Sequence, residues 1–196
     1  MSWEVTLGTV VAVGAVFGIG VQYLASDLLD ELVGLFVKLP RVVSEGVSEA
    51  QARDMLLGYF AMGQAYVMIG GLALARWWQS LLYNPGGFQK EIHGLRLPKG
   101  LGLGIVALMV AAFATQDLAY MKWIPLLTVP MIVCAIGLVH WVVKRRKMNA
   151  GWLALFYVFL VGLNELANPL LTALALLDSW MDLRQKIETN ERDNEV

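Results

Sequence analysis

Apolar residues run along this chain in blocks longer than the core of a water-soluble domain requires. From Val5 to Ala25 there is no charged residue, and Gly8, Gly14, Gly18 and Gly20 fall inside the run. Glycines at that density weaken a helix in water but are common in helices that lie in lipid. A hydrocarbon core of roughly 30 Å takes about 20 residues of helix to cross, because no water is present there to satisfy free backbone groups. The pattern therefore predicts a first span over residues 5–25. Beyond it, Leu28, Leu32, Leu35 and Leu39 recur at helical spacing, with Asp27, Asp30 and Glu31 near the start, where acidic groups favour the helix dipole. This predicts an amphipathic helix in the membrane interface, ending near Pro40. Ser48 and Gln51 have capping-box spacing and open a helix whose residues 55–75 form span two, with Arg76 ending it at the interface.

From Arg76 to Lys99 the pattern changes. Trp77 and Trp78 beside an arginine suit a headgroup layer, where an apolar ring and a polar edge are both satisfied. Asn84-Pro85-Gly86-Gly87 is a turn signal, since proline fixes φ and glycine tolerates positive φ. A short surface helix follows. Residues 100–116 then form a short third span, residues 117–122 a tight turn, and residues 123–143 a fourth span with Pro125 and Pro130 near its start, stopped by Lys144-Arg145-Arg146-Lys147. The last apolar region, Met148 to Met181, is broken at Asn164-Glu165-Leu166-Ala167-Asn168-Pro169. Two short spans in a hairpin, 148–163 and 166–181, are preferred over one kinked helix. Each half has about sixteen residues, or about 24 Å of helix, so the hairpin requires local thinning of the bilayer or burial among other helices.

The fold expected is all-α: a polytopic transmembrane bundle of about six spans with an interfacial amphipathic helix. Residues 1–183 form one membrane domain and residues 184–196 a polar cytoplasmic tail. Lysine and arginine beside the spans resist translocation and so set the orientation. With both termini in the cytoplasm, four basic residues fall inside at 76–99, four at 144–147 and three in the tail, against Lys38, Arg41, Arg53 and Lys122 outside. That bias also favours the hairpin. No basic n-region precedes the first apolar segment, which is expected to stay in the mature protein.

Composition agrees with a membrane solvent: 58% of residues are apolar and 16% charged, where soluble domains carry about 25% charge. The net charge of -1 offers no basic footprint for nucleic acid. The single cysteine, Cys134, and two histidines, His93 and His140, leave no set of thiols or imidazoles at metal-ligand spacing. No Walker A loop, His-Glu-x-x-His pair or Gly-x-Ser-x-Gly elbow occurs. The sequence therefore predicts no enzyme, no cofactor and no metal.

The motifs Arg76-Trp77-Trp78-Gln79, Leu82-Tyr83-Asn84-Pro85-Gly86-Gly87-Phe88, Leu95-Arg96-Leu97-Pro98 and Leu176-Leu177-Asp178-Ser179-Trp180-Met181-Asp182-Leu183-Arg184 resemble the YybS-like multi-pass membrane proteins of bacteria, in their proteobacterial form. The resemblance covers nearly the whole chain. It implies residence in the inner membrane, and further hydrophobic spans ahead of the region matching Ser2, so that this chain would be a shortened form. Through the family, it also implies a distant likeness to the substrate-capture subunits of energy-coupling-factor vitamin transporters.

Polar groups within hydrocarbon are costly and mark function more often than surface ones do. Gln64, with Tyr66 near it in span two, suits either a solute or a neighbouring helix. Glu165 and Asn168 lie at the helix break, either as an ordinary turn or as a re-entrant tip of the kind transporters use. Gln22 and Tyr23 read as interfacial anchors, and His140 as an interfacial histidine or a proton-linked switch. Asp178 and Asp182 share a helical face and either bind a cation or pair with Arg96 or the 144–147 cluster. That cluster, Lys144, Arg145, Arg146 and Lys147, is a topology signal with anionic-lipid contact as a second role. Gly14-x-x-x-Gly18 and Gly100-x-x-x-Gly104 permit close helix contact, within the chain or between copies. Two functions remain: a transport or solute-capture component with a pocket near Gln64, Tyr66 and Glu165, or a non-catalytic scaffold or regulatory factor acting through the Trp77 to Lys99 loop. The partners expected are the lipid bilayer and either another membrane protein or a small solute.

Overall fold

The computed structural model describes residues 3–187; most of the expected polar tail, residues 188–196, lies outside the described residues, as do residues 1 and 2. The described chain is all-helical, with no strand: α1 (Trp3–Leu24), α2 (Ser26–Phe36), α3 (Pro40–Ser44), α4 (Glu49–Tyr83), α5 (Gly87–Gly94), α6 (Lys99–Thr115), α7 (Leu118–Met121), α8 (Ile124–Arg145), α9 (Gly151–Gly162) and α10 (Asn164–Met181). Three segments, Val5–Leu24, Glu49–Tyr83 and Leu118–Arg145, are each long and apolar enough to cross a membrane. Two further pairs qualify together but bend at a break, by 54° between α5 and α6 and by 116° between α9 and α10. The chain is a helical membrane protein.

Two compact units form, one from Met1–Glu4, Ala73–Gly104 and Pro130–Val196, the other from Val5–Leu72 and Ile105–Val129. Helices α1, α4, α6 and α8 contribute residues to both.

In the second unit, the capping box forms as drawn from the sequence. The Ser48 amide donates to Gln51 Oε1 at 2.9 Å, and the Gln51 amide donates to Ser48 Oγ at 3.3 Å. The inward stripe of α2 is Leu29 and Val33, which pack with Ala52, Leu57 and Phe60 of α4. The leucines of the predicted stripe lie outside this core: Leu28, Leu35 and Leu39 are exposed. Helix α2 thus has two apolar faces, and a periodicity count selects only one of them. Gly14 and Gly18 are used within the chain, since a Cβ at Gly14 would lie 2.7 Å from Leu126 Cδ1 and one at Gly18 3.2 Å from Ala61 Cβ. At Gly100 and Gly104 a Cβ would meet nothing within 4 Å.

In the first unit, α4 does not stop at Arg76 but continues to Tyr83. Nothing in Arg76-Trp77-Trp78-Gln79-Ser80-Leu81-Leu82-Tyr83 opposes a helix, and Arg76 is neutralised by an ion pair with Glu91, so its charge does not end the helix. The turn falls at Asn84 to Gly86, with Gly86 at φ 83° and the Gly87 amide donating to the Asn84 carbonyl at 2.9 Å. The expected 76–99 loop is therefore the end of one helix, a tight turn and α5. Near the C-terminus, Arg184 is buried on a short helical turn, 183–187, so the packed region extends past the tail boundary expected at residue 184.

Gly58 gives a direct test of packing in the second unit. A Cβ there would collide with the Lys122 carbonyl oxygen, whereas one at Gly63 meets no atom within 4 Å. We expect Gly58→Ala to lower stability by about 1–3 kcal/mol, and Gly63→Ala to leave it unchanged or raise it by up to about 1 kcal/mol through helix propensity, both read from thermal unfolding in detergent.

Candidate functional site

The polar side chains of the first unit are largely spent on one another. Helix α5 ends at Gly94, and residues 95–98 run without helical bonds before α6 begins. Their carbonyls need donors, because Leu95 and Leu97 are buried at 3% and 2% exposure and an unsatisfied buried carbonyl is costly. The last turn of α10 and the segment after it supply those donors. Ser179 Oγ donates to the Leu97 carbonyl at 2.7 Å. Arg184 donates through Nη2 to the Leu95 carbonyl at 2.7 Å and through Nη1 to the His93 carbonyl. Its charge, 5% exposed, is compensated by Asp178, 4% exposed, across 3.2 Å. That approach is close but not aligned as a hydrogen bond, so Asp178 acts here through its charge. The guanidinium also stands 5.9 Å from the Trp141 ring centroid on α8, within cation–π range.

A second, more exposed layer surrounds this lock. Arg96 grips Asp182 with two hydrogen bonds, at 2.9 and 2.5 Å, the fork geometry arginine favours with carboxylates. Asp182 sits at φ 49° as the C-cap of α10. The Arg96 guanidinium holds its carboxyl below the usual carboxylate range. Glu91 on α5 accepts from Arg76 of α4 and, at 3.1 Å, from Trp3 Nε1; the Arg76 hydrogen bond likewise lowers its proton affinity. Arg76 also donates to Gln79. The Phe88 amide donates to Ser80 Oγ at 3.1 Å, and that hydroxyl donates to the Asn84 carbonyl at 2.8 Å. A Cβ on buried Gly87 would strike the Asn84 side chain.

The sequence motifs at 76–88, 95–98 and 176–184 are thus brought together in one polar framework. Asp178 and Asp182 do not form a shared cation site: each meets its own arginine, and no group of three or more His, Cys, Asp or Glu able to hold a metal occurs among the described residues. Trp77, Trp78, Tyr83 and Trp180 are exposed. Ser80, Glu91, Ser179 and Trp3 were not singled out by sequence. Glu91 carried a signal, an isolated acid across a turn from Arg76; Ser179 carried none, because its partner is a backbone carbonyl.

The residues proposed for a solute pocket divide between the units, Gln64 and Tyr66 in the second and Glu165 and Asn168 in the first. Gln64 and Tyr66 are half-buried on α4, Glu165 is exposed and Asn168 half-buried in the first turns of α10. Two large cavities exist elsewhere. One, about 550 Å³, lies in the second unit among α1, α6 and α8, with Ala12, Ala15, Leu108, Ala112, Thr115 and Leu126 in its wall. The other, about 600 Å³, lies in the first unit among α8, α9 and α10. Neither is lined by Gln64, Tyr66, Glu165 or Asn168. His140 is hydrogen-bonded to Tyr157 at 2.8 Å. No protein-family model, curated protein or solved structure matches the chain.

The two layers should respond differently to mutation. Removing the buried cation strands Asp178, so Arg184→Met should cost about 3 kcal/mol, while Asp182→Asn at the exposed pair should cost far less. Because folding lowers the proton affinity of Asp182, its contribution is complete above the unfolded carboxylate value of about 4 and is lost as pH falls through the lower folded value. Unfolding midpoints measured against pH should therefore drop at the acid end, and drop less in Asp182→Asn.

Proposed function

We propose that the chain is a non-catalytic scaffold or regulatory factor of the bacterial inner membrane, engaging a partner membrane protein through the end of α4 and the turn into α5. The observation that carries this reading is the exposure of α4 beyond its packed half. None of its buried residues lies beyond Ile69, while Leu74, Trp77, Trp78, Leu81, Leu82 and Tyr83 range from 46% exposed at Trp77 to 81% at Tyr83. An apolar helix end uncovered on several sides, and braced from below by Arg76–Glu91 and Ser80–Phe88, offers a stiff aromatic platform. Tryptophan and tyrosine are the residue types on which interfaces most often turn.

Six spans, α1, α4, α6, α8, α9 and α10, with both termini in the cytoplasm, complete the proposal. The 116° bend at Leu163 supports a hairpin over a single kinked helix, and the basic residues at 144–147 support the orientation. Membership of the YybS-like family is consistent with this location and rests on the sequence motifs. A second reading, capture of a small solute, is favoured by the 550 Å³ cavity of the second unit, whose size falls within the range of about 300–1,000 Å³ usual for ligand sites; its mostly apolar wall selects an apolar solute.

Purification of the tagged full-length chain in mild detergent separates the readings. The scaffold reading expects a stoichiometric membrane partner that is lost, at least tenfold, on Trp77→Ala with Trp78→Ala. Partner-free protein that carries a small apolar molecule by mass spectrometry would overturn it in favour of capture. For orientation, a reporter active only in the periplasm and fused after Val196 should stay silent; activity there would reverse the side of the C-terminus and remove the hairpin.

A further inference from the structure

Helix α9 holds twelve residues, Gly151–Gly162, and not one of them is buried. It touches α8 through the Tyr157–His140 hydrogen bond, and between α8, α9 and α10 lies the cavity of about 600 Å³. The wall includes Leu138, Val142, Met148, Phe156, Phe159 and Leu174, all apolar. Such a space does not hold water, which needs polar partners, and offers a polar solute nothing to bond.

The mouth of the groove is different. Helix α8 ends in a Schellman motif: the Met148 amide donates to the Val143 carbonyl at 3.0 Å and the Lys147 amide to the Lys144 carbonyl at 3.1 Å, with Lys147 at φ 51°. This motif brings the residues at its two ends into apolar contact, and here those residues, Val143 and Met148, both line the groove. The four residues between them, Lys144, Arg145, Arg146 and Lys147, are all exposed. One turn of backbone therefore sets a cationic cluster directly at the edge of an apolar slot.

The geometry points to a binding site for an anionic phospholipid of the surrounding bilayer, one acyl chain lying in the groove between α8 and α9 and the phosphate held by the 144–147 turn. Charge complementarity names the occupant. The apolar wall accepts any acyl chain, but four adjacent cations distinguish an anionic headgroup from a zwitterionic one, each basic side chain near the surface contributing a few-fold in affinity.

Native mass spectrometry of the full-length chain, recovered from vesicles of equal phosphatidylglycerol and phosphatidylcholine, tests this. Phosphatidylglycerol should be retained about tenfold over phosphatidylcholine, and the combined variant Lys144→Gln, Arg146→Gln, Lys147→Gln should bring the ratio to within about twofold. Val142→Trp narrows the groove and leaves the charges in place, so retention of both lipids should fall about tenfold with helicity unchanged by circular dichroism. Should Val142→Trp lose helicity, Leu155→Trp on the open helix α9 serves the same purpose. Glycerol phosphate, which has the headgroup chemistry without the chain, should not displace the lipid. Equal retention of the two lipids, a preference that survives the triple substitution, a folded groove variant that keeps its lipid, or displacement by glycerol phosphate would each overturn the assignment.

Discussion

Wherever a helix stops inside a chain built for lipid, its freed carbonyls must find donors within the protein, and Arg184 meets that demand for the first unit. Its guanidinium serves the carbonyls of His93 and Leu95 while Asp178 compensates its charge. A lysine would not do the same, since a single ammonium lacks the planar fork that reaches two carbonyls and leaves Nε toward a carboxylate. Around this contact the turn after α5 is held, Leu95 and Leu97 are buried, and Ile92 can bring its carbonyl against Gly137 of α8, where a Cβ would lie only 2.7 Å from it.

The parts of the fold that were legible in the sequence are those written in local chemistry. The first long apolar helix, the Ser48–Gln51 capping box and the turn at Asn84 to Gly86 all depend on residues within a few positions of one another. One misreading has a physical cause: Arg76 looked like a stop because an unpaired charge belongs at an interface, and its pairing with Glu91, fifteen residues on, is invisible to a local rule. The packing of Leu29 and Val33 of α2 against α4 was not read from the sequence, because the leucine spacing marks a different face of that helix. The lock at Arg184 was beyond reach for another reason: its acceptors are backbone carbonyls, which every residue carries and no motif reveals.

The distribution of polar and apolar surface bears on function more than any single residue. Arginines and carboxylates in the first unit are matched into a framework, and Asp54–Lys122 and Asp30–Arg53 are matched in the second. The large internal spaces, by contrast, are lined almost wholly by hydrocarbon. Such an interior has little with which to orient a polar substrate. The apolar surface is broad at the aromatic end of α4 and along α9, none of whose residues is buried.

The reach of Arg184 has a consequence for how the protein is made. Its contacts to His93 and Leu95 close over 91 and 89 residues of chain, so they form only after all of that intervening chain has been made. All residues of the second unit precede Pro130. The first unit waits, its segment at 95–98 without the donors that Ser179 and Arg184 supply. The order of synthesis therefore separates acceptor from donor: the turn at 95–98 is made first, and the groups that satisfy its carbonyls follow 82 and 89 residues later.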